Sequence, residues 1–163
     1  MKTNEEILTK LRDNDIFDFF GTRFDDLIPF LSFEQAKEFL KDEVTVEEFA
    51  KIGKPLTQEA VISELKEYMP FAWKKANNCR GLSAGRSINH MQNWLWLLGE
   101  DEAAKEIEHH QFYGKPQLRA ICEKFGIDWK VLDDGEWRND EMSKGAGPSE
   151  TTIILPWKET VED

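Results

Sequence analysis

The sequence predicts a mainly α fold: a single domain of about seven helices around a central Trp-rich helix at residues 84–98. A small C-terminal β-hairpin or three-stranded piece would make it α+β at the margin. Three observations carry this expectation. Helix-start signatures recur through the first sixty residues, apolar side chains repeat at helical spacing as far as residue 125, and the period switches to alternation only after Gly126.

The first helices announce themselves by their caps. Thr3 with Glu6, Ser32 with Gln35 and Thr45 with Glu48 each place a hydroxyl at the helix start and a Glu or Gln three residues later. Such pairs satisfy free N–H groups in both directions, the reciprocal arrangement of a capping box. They predict helices near 4–12, 33–41 and 46–52, and "DIFDFFGTRFDDLIPFL" adds a further short helix. Thr57, with Glu59 in the first turn, opens a helix over 58–76 that Pro70 should kink or divide.

Beyond it, the helix 84–98 should stop at Gly99 as a C-terminal cap, and helices are expected over 100–111 and 116–125. The last has Pro116 at its start and Gly126 after its end. "IDWKVLDDGEW" alternates about Asp133-Asp134-Gly135 as a hairpin would, and "TTIILPW" could return as a strand to pair with it. Residues 1–137 therefore form the helical domain ending in the hairpin. Residues 138–150 have linker composition, and 151–163 are a returning strand with an acidic tail.

Composition narrows the function classes. With 163 residues, 40% of them hydrophobic, the chain is long enough to bury a core of its own. No run approaches the roughly 20 apolar residues that span a bilayer, and "MKTNEEILTKLRDND" is charged where a secretion signal would be apolar. The expected setting is cytoplasmic, with no membrane contact. Cys79 and Cys122 lack any metal-binding spacing and are expected to be reduced thiols.

A net charge of −11 opposes coating a nucleic acid or an anionic membrane through the overall field. The charge is uneven, however. Residues 1–58 carry a net −5, residues 127–163 a net −6, and residues 59–99 a net +2. Between Glu67 and Glu100 there is no acid, while Lys74, Lys75, Arg80 and Arg86 all fall in that gap.

The helix at 84–98 opens against the rule its neighbours obey. With Ser83 as N-cap, Arg86 takes the first-turn position that Glu6 and Glu48 hold elsewhere. A cation there opposes the positive end of the helix dipole, at about 0.3 to 1 kcal/mol. An anion at this spot would explain it, accepted by free N–H groups, the hydroxyls of Ser83 and Ser87, and the guanidinium groups of Arg80 or Arg86. That anion could equally be one of the protein's own carboxylates in the N-terminal third.

Along the same helix, Ile88, Met91, Trp94, Leu95 and Leu98 make a core stripe. Arg86, Asn89, Asn93 and Trp96 line another side with His90 and Leu97 beside them, a fork-shaped cation, two amides and a stacking plane that suit a polar ligand. The competing reading is a helix packed on all sides, whose Asn and His satisfy buried groups.

Arg80, Ser83, Arg86, Ser87, Asn89, His90, Asn93 and Trp96 are thus the candidate ligand-binding residues. The expectation is a non-enzymatic intracellular binding protein for an anionic small molecule or a protein partner's acidic group. Three alternatives stand beside it: nucleic-acid binding through the acid-free segment 68–99, an acidic surface that engages a basic partner, and a hydrolase or transferase using His90 as base.

The nucleic-acid and catalytic alternatives each have a weakness in the sequence, and nothing in the spacing is specific to the acidic-surface one. A helix-turn-helix needs a tighter turn than "NNCRGLS", and "WLWLLG" wants burial. "GLSAG" lacks the preceding strand of a nucleophile elbow, and "GLSAGRS" lacks the ending of a phosphate-binding loop. Glu106 with His109 or His110 supplies one Glu/His pair, where di-iron bundles use two. No catalytic residue, metal site or cofactor is therefore assigned.

Overall fold

The structure is a computed structural model that describes residues 1–14, 16, 24–78, 88–108, 114–132 and 157. Among the described residues there are seven α-helices and one 3₁₀ helix, with no sheet. In order they are α1 (Asn4–Asp13), the 3₁₀ helix η1 (Asp25–Phe30), α2 (Phe33–Ala36), α3 (Val46–Ala50), α4 (Gln58–Asn78), α5 (Met91–Leu97), α6 (Asp101–Glu108) and α7 (Lys115–Phe125). The mainly α class read from the sequence is the class observed.

All three capping boxes form as their residues dictate. Thr3, Ser32 and Thr45 accept from the backbone N–H groups of Glu6, Gln35 and Glu48, whose side chains reach back to the cap. Thr57 Oγ1 likewise accepts from Ala60 N, 3.1 Å away. The end of α5 is equally orderly. Gly99 adopts φ +89°, its N–H donates to Trp96 O, and Glu100 N–H donates to Leu95 O. This pair of bonds is a Schellman closure, which needs a left-handed residue and so favours glycine.

Helix α4 runs unbroken through Pro70 and is not divided. The lost backbone bond is offset by burial: Val61, Leu65, Tyr68, Met69, Ala72 and Trp73 form one fully buried stripe. This stripe carries α5 on one side and α7 on the other, while α5 packs along α6. Tyr68 meets Trp94 edge-on at 5.3 Å, and Trp73 stacks on Trp129 at 6.2 Å. Helix α1 buries Ile7, Leu8 and Leu11, and η1 buries Leu27, Ile28 and Phe30, in the same hydrophobic core. Arg12 forks onto Glu38 and Asn4 donates to Gln35, which fastens α1 to the α2 region.

Three places differ from the periodicity. Residues 88–90 form a turn ahead of α5 where the helix 84–98 was expected to be under way; its start at 84–87 lies outside the described residues. Residues 127–132, the expected first arm of the hairpin, include no strand. There Leu132 N–H closes a turn onto Trp129 O, because Trp129 turns to stack on Trp73 rather than pair along a ladder. The other arm lies outside the described residues. Of the expected returning strand only Trp157 is described, buried and joined by an antiparallel bridge to Leu40. The linker-like 138–150 also lies outside.

Among the described residues no helix is long and apolar enough to cross a membrane. Cys122 is a free, buried thiol on the α7 face toward the core. Burial pushes its pKa up to about 11, with Glu123 and Asp128 adding to the rise. A thiol so protonated and enclosed is expected to resist a disulfide-exchange reagent at pH 8 until denaturant is added. Mass spectrometry of the Cys122 peptide checks this, and labelling at the rate of a small free thiol would refute the burial of α7.

Candidate functional site

The sequence-predicted ligand residues divide into three groups. Arg80, Ser83, Arg86 and Ser87 lie outside the described residues, as do Cys79, His109 and His110. Asn89 is half-buried in the turn before α5. His90, Asn93 and Trp96 are placed by α5, and they do not share one role.

His90 and Asn93 turn inward to a carboxylate of their own chain. His90 Nδ1 lies 2.7 Å from Asp26 Oδ2, and Asn93 Nδ2 donates to the same oxygen at 3.0 Å. A carboxylate oxygen accepts, so Nδ1 carries the hydrogen in this pair. Both side chains are buried, and Tyr68 closes the His90 ring edge-on at 6.0 Å. The arrangement ties η1 to α5. It accords with the reading of a packed helix whose Asn and His satisfy buried groups, while Arg86 lies outside the described residues.

Trp96 faces the other way, toward a cavity of about 180 Å³ between α1, α5 and α6. Helix α5 also gives this cavity Gln92 and Asn93, and α1 gives it Lys10 beside Phe24. One face of α6, at the i, i+3, i+4, i+7 positions Asp101, Ala104, Lys105 and Glu108, makes the opposite wall.

Lysines surround the aromatic plane. Lys10 Nζ lies 4.8 Å from the ring centroids of both Trp96 and Phe24, and Lys2 Nζ lies 5.2 Å from Trp96. Lys2 is held there by Asp101 at 2.9 Å. Lys10 has no such close partner: among the described residues its nearest carboxylate is Glu108, at 3.9 Å, beyond hydrogen-bond distance. Burial pulls the Lys10 ammonium below the ordinary lysine value, more than Glu108 and Asp101 restore, and Lys2 lowers it further.

A planar aromatic wall, buried amides and charges of both signs can hold a small polar molecule. Among the described residues no three His, Cys, Asp or Glu side chains come together to hold a metal ion.

Sequence reasoning reached Asn93 and Trp96 but missed Lys10, Gln92, Asp26 and the α6 face. Two signals were present. Lys10 follows Ile7 by three positions and so borders the apolar stripe of α1, and the spacing of Asp101, Lys105 and Glu108 puts them on one side of their helix. Asp26 had no such signal, since its partners lie 64 and 67 positions away. Comparison with protein-family models, with curated proteins and with solved structures finds no match to this chain.

Proposed function

We propose that the chain is a non-enzymatic, cytoplasmic binding protein that takes a small molecule with an anionic group into the cavity beside Trp96. The observation that carries this is Lys10, a half-buried ammonium held over two rings at the cavity wall with no carboxylate in hydrogen-bond distance among the described residues. Desolvated cations of this kind favour an incoming anion, since the cost of burying the charge has already been met by folding. Asn93 and Trp96 supply the amide and plane that the sequence marked for a polar ligand. The acid-free stretch containing Arg80 and Arg86 would add positive potential nearby in the chain.

The test is thermal stabilisation at low ionic strength by phosphate, sulfate, carboxylic acids, amino acids, sugars and nucleotides, with wild type, Trp96→Ala and Arg86→Glu in parallel. A ligand at 100 times its Kd adds about 2.7 kcal/mol, a rise of about 5 to 10 °C for a domain of this size. The expected result is a shift in wild type that Trp96→Ala abolishes. A shift that survives Trp96→Ala and disappears in Arg86→Glu would move the site to the start of the segment before α5. No shift with any compound would overturn the reading.

A further inference from the structure

We infer that Lys10 is an imine-forming lysine: beside Trp96 its nitrogen condenses with a small carbonyl compound, an aldehyde or a 2-oxo acid, and is held there as an iminium ion. The inference rests on reading the cavity as the ligand site, and it adds a covalent bond to that reading.

The place of the nitrogen carries the argument. Lys10 Nζ stands 4.8 Å from the ring centroids of both Trp96 and Phe24 at the wall of the cavity, with its side chain 20% exposed. An ammonium is compact and strongly hydrated, so partial loss of water is costly to it. An iminium ion keeps the same single charge with one N–H in place of three, and so gives up fewer hydrogen bonds to water at this spot. The two rings attract either cation. Exchanging the ammonium for an iminium therefore relieves the desolvation and keeps the ring contacts.

The same surroundings supply the reactive form. Attack on a carbonyl needs the free amine, and burial holds the Lys10 ammonium below the ordinary lysine value against the pull of Glu108, with Lys2 lowering it further. Lys2 lies 5.2 Å from the same Trp96 centroid and is held there by Asp101 at 2.9 Å. Nothing in the step draws on Asp101 or on Glu108, which is engaged with a further partner. Sites for drug-sized ligands hold roughly 300 to 1,000 Å³, so a cavity of about 180 Å³ suits a carbonyl compound of only a few carbons.

The step balances without an oxidant or a reductant. The ammonium gives a proton to water, and the freed nitrogen lone pair forms the N–C bond while the carbonyl π pair moves onto oxygen. That oxygen takes up two protons, one of them from the nitrogen, and leaves as water as the nitrogen lone pair forms the C=N bond. Ammonium and carbonyl thus give iminium and water, with one positive charge on each side.

The experiment is reductive trapping. The protein is incubated at pH 8 with pyruvate or with propanal, sodium cyanoborohydride converts any imine to a secondary amine, and peptide mass spectrometry locates the adduct. Two lysines of the same chain serve as references: Lys37, which lies over the Phe33 ring but is exposed, and Lys51, which is exposed. The expected result is an adduct at Lys10 that forms on the order of tenfold faster than at either reference. Trp96→Ala, checked by thermal unfolding to be folded, should slow Lys10 to the rate of Lys37.

Lys10 labelled no faster than Lys37 and Lys51 by both compounds would overturn the inference, and this comparison within the wild-type chain needs no variant. A thermal shift from phosphate, sulfate or another non-carbonyl compound alongside that result would leave the cavity reading standing. Fast trapping that Trp96→Ala leaves unchanged would overturn the placement over the rings. Trapping by propanal as fast as by pyruvate would support the imine and remove the need for an anionic group, whereas trapping by pyruvate alone would support both.

Discussion

Trp73→Ala is expected to cost about 3 to 5 kcal/mol of stability, the range for removing a large aromatic side chain from a closed interior. Trp73 is fully buried at the end of the α4 stripe, and its ring stacks on Trp129 with an interplanar angle of 18°. Two cations flank the pair. Lys115 lies over Trp73 at 5.7 Å, and Arg119 lies over Trp129 at 4.2 Å. Deleting the indole therefore leaves a void and also strips Trp129 of its stacking partner, so that residues 127–132 lose their main attachment to α4. Guanidinium unfolding followed by circular dichroism measures the loss, and the midpoint of thermal unfolding should fall on the order of 10 °C. A loss below about 1 kcal/mol would mean that the surroundings collapse into the space or that the segment after α7 does not rest on α4.

Asp26→Ala is the second large effect, about 2 to 3 kcal/mol. Its size comes from what is left behind more than from what is removed. His90 Nδ1–H and Asn93 Nδ2–H both donate to one oxygen of Asp26, and both donors are buried. Without an acceptor each carries an uncompensated desolvation cost of about 1 to 3 kcal/mol, reduced here because Asp26 itself keeps some contact with water. Asp26→Asn keeps an acceptor oxygen in place and should lose about 1 kcal/mol or less.

A double-mutant cycle with His90→Ala separates the pair from its surroundings, with an expected coupling of about 1 to 2 kcal/mol. Additive losses would show that the contact contributes nothing beyond the packing of each side chain.

These two residues illustrate what the sequence carried and what it withheld. Capping boxes were legible because the donor, the acceptor and the turn between them lie within four residues, so no tertiary information is needed. Gly99 was legible for the same reason: a left-handed residue after an apolar helical run has few other uses. Of the core stripe read from spacing, Ile88, Met91, Trp94 and Leu95 are buried and Leu98 is partly so, but Gln92, Asn93 and Leu97 off the stripe are buried as well.

Partner choice was not legible. Asn93 reads identically whether it meets a ligand or a carboxylate of η1, and only the fold decides. A division of the helix at Pro70 did not follow, because a local rule gave no weight to the burial that holds the helix together on both sides of it. Trp129 was assigned to a strand because alternation looks alike whether a side chain faces a sheet or stacks on another indole. At the candidate site, Trp96 was identified from its own helix, while Lys2 and Lys10 arrive from the far end of the chain.

The Schellman closure at Gly99 has a consequence for how tightly anything could be held. It joins α5 to α6 through hydrogen bonds from Gly99 and Glu100, so Trp96 on one side of the corner and Asp101, Lys105 and Glu108 on the other keep a nearly constant spacing. Two walls of the cavity thus form a preorganised jaw, and α1, bearing Lys10, is tied to both of them, by Lys2 N–H to Leu97 O and by Lys2 Nζ to Asp101. Association then sacrifices little conformational entropy, because the walls are joined before a guest arrives. Affinity would be tuned mainly through the dissociation rate.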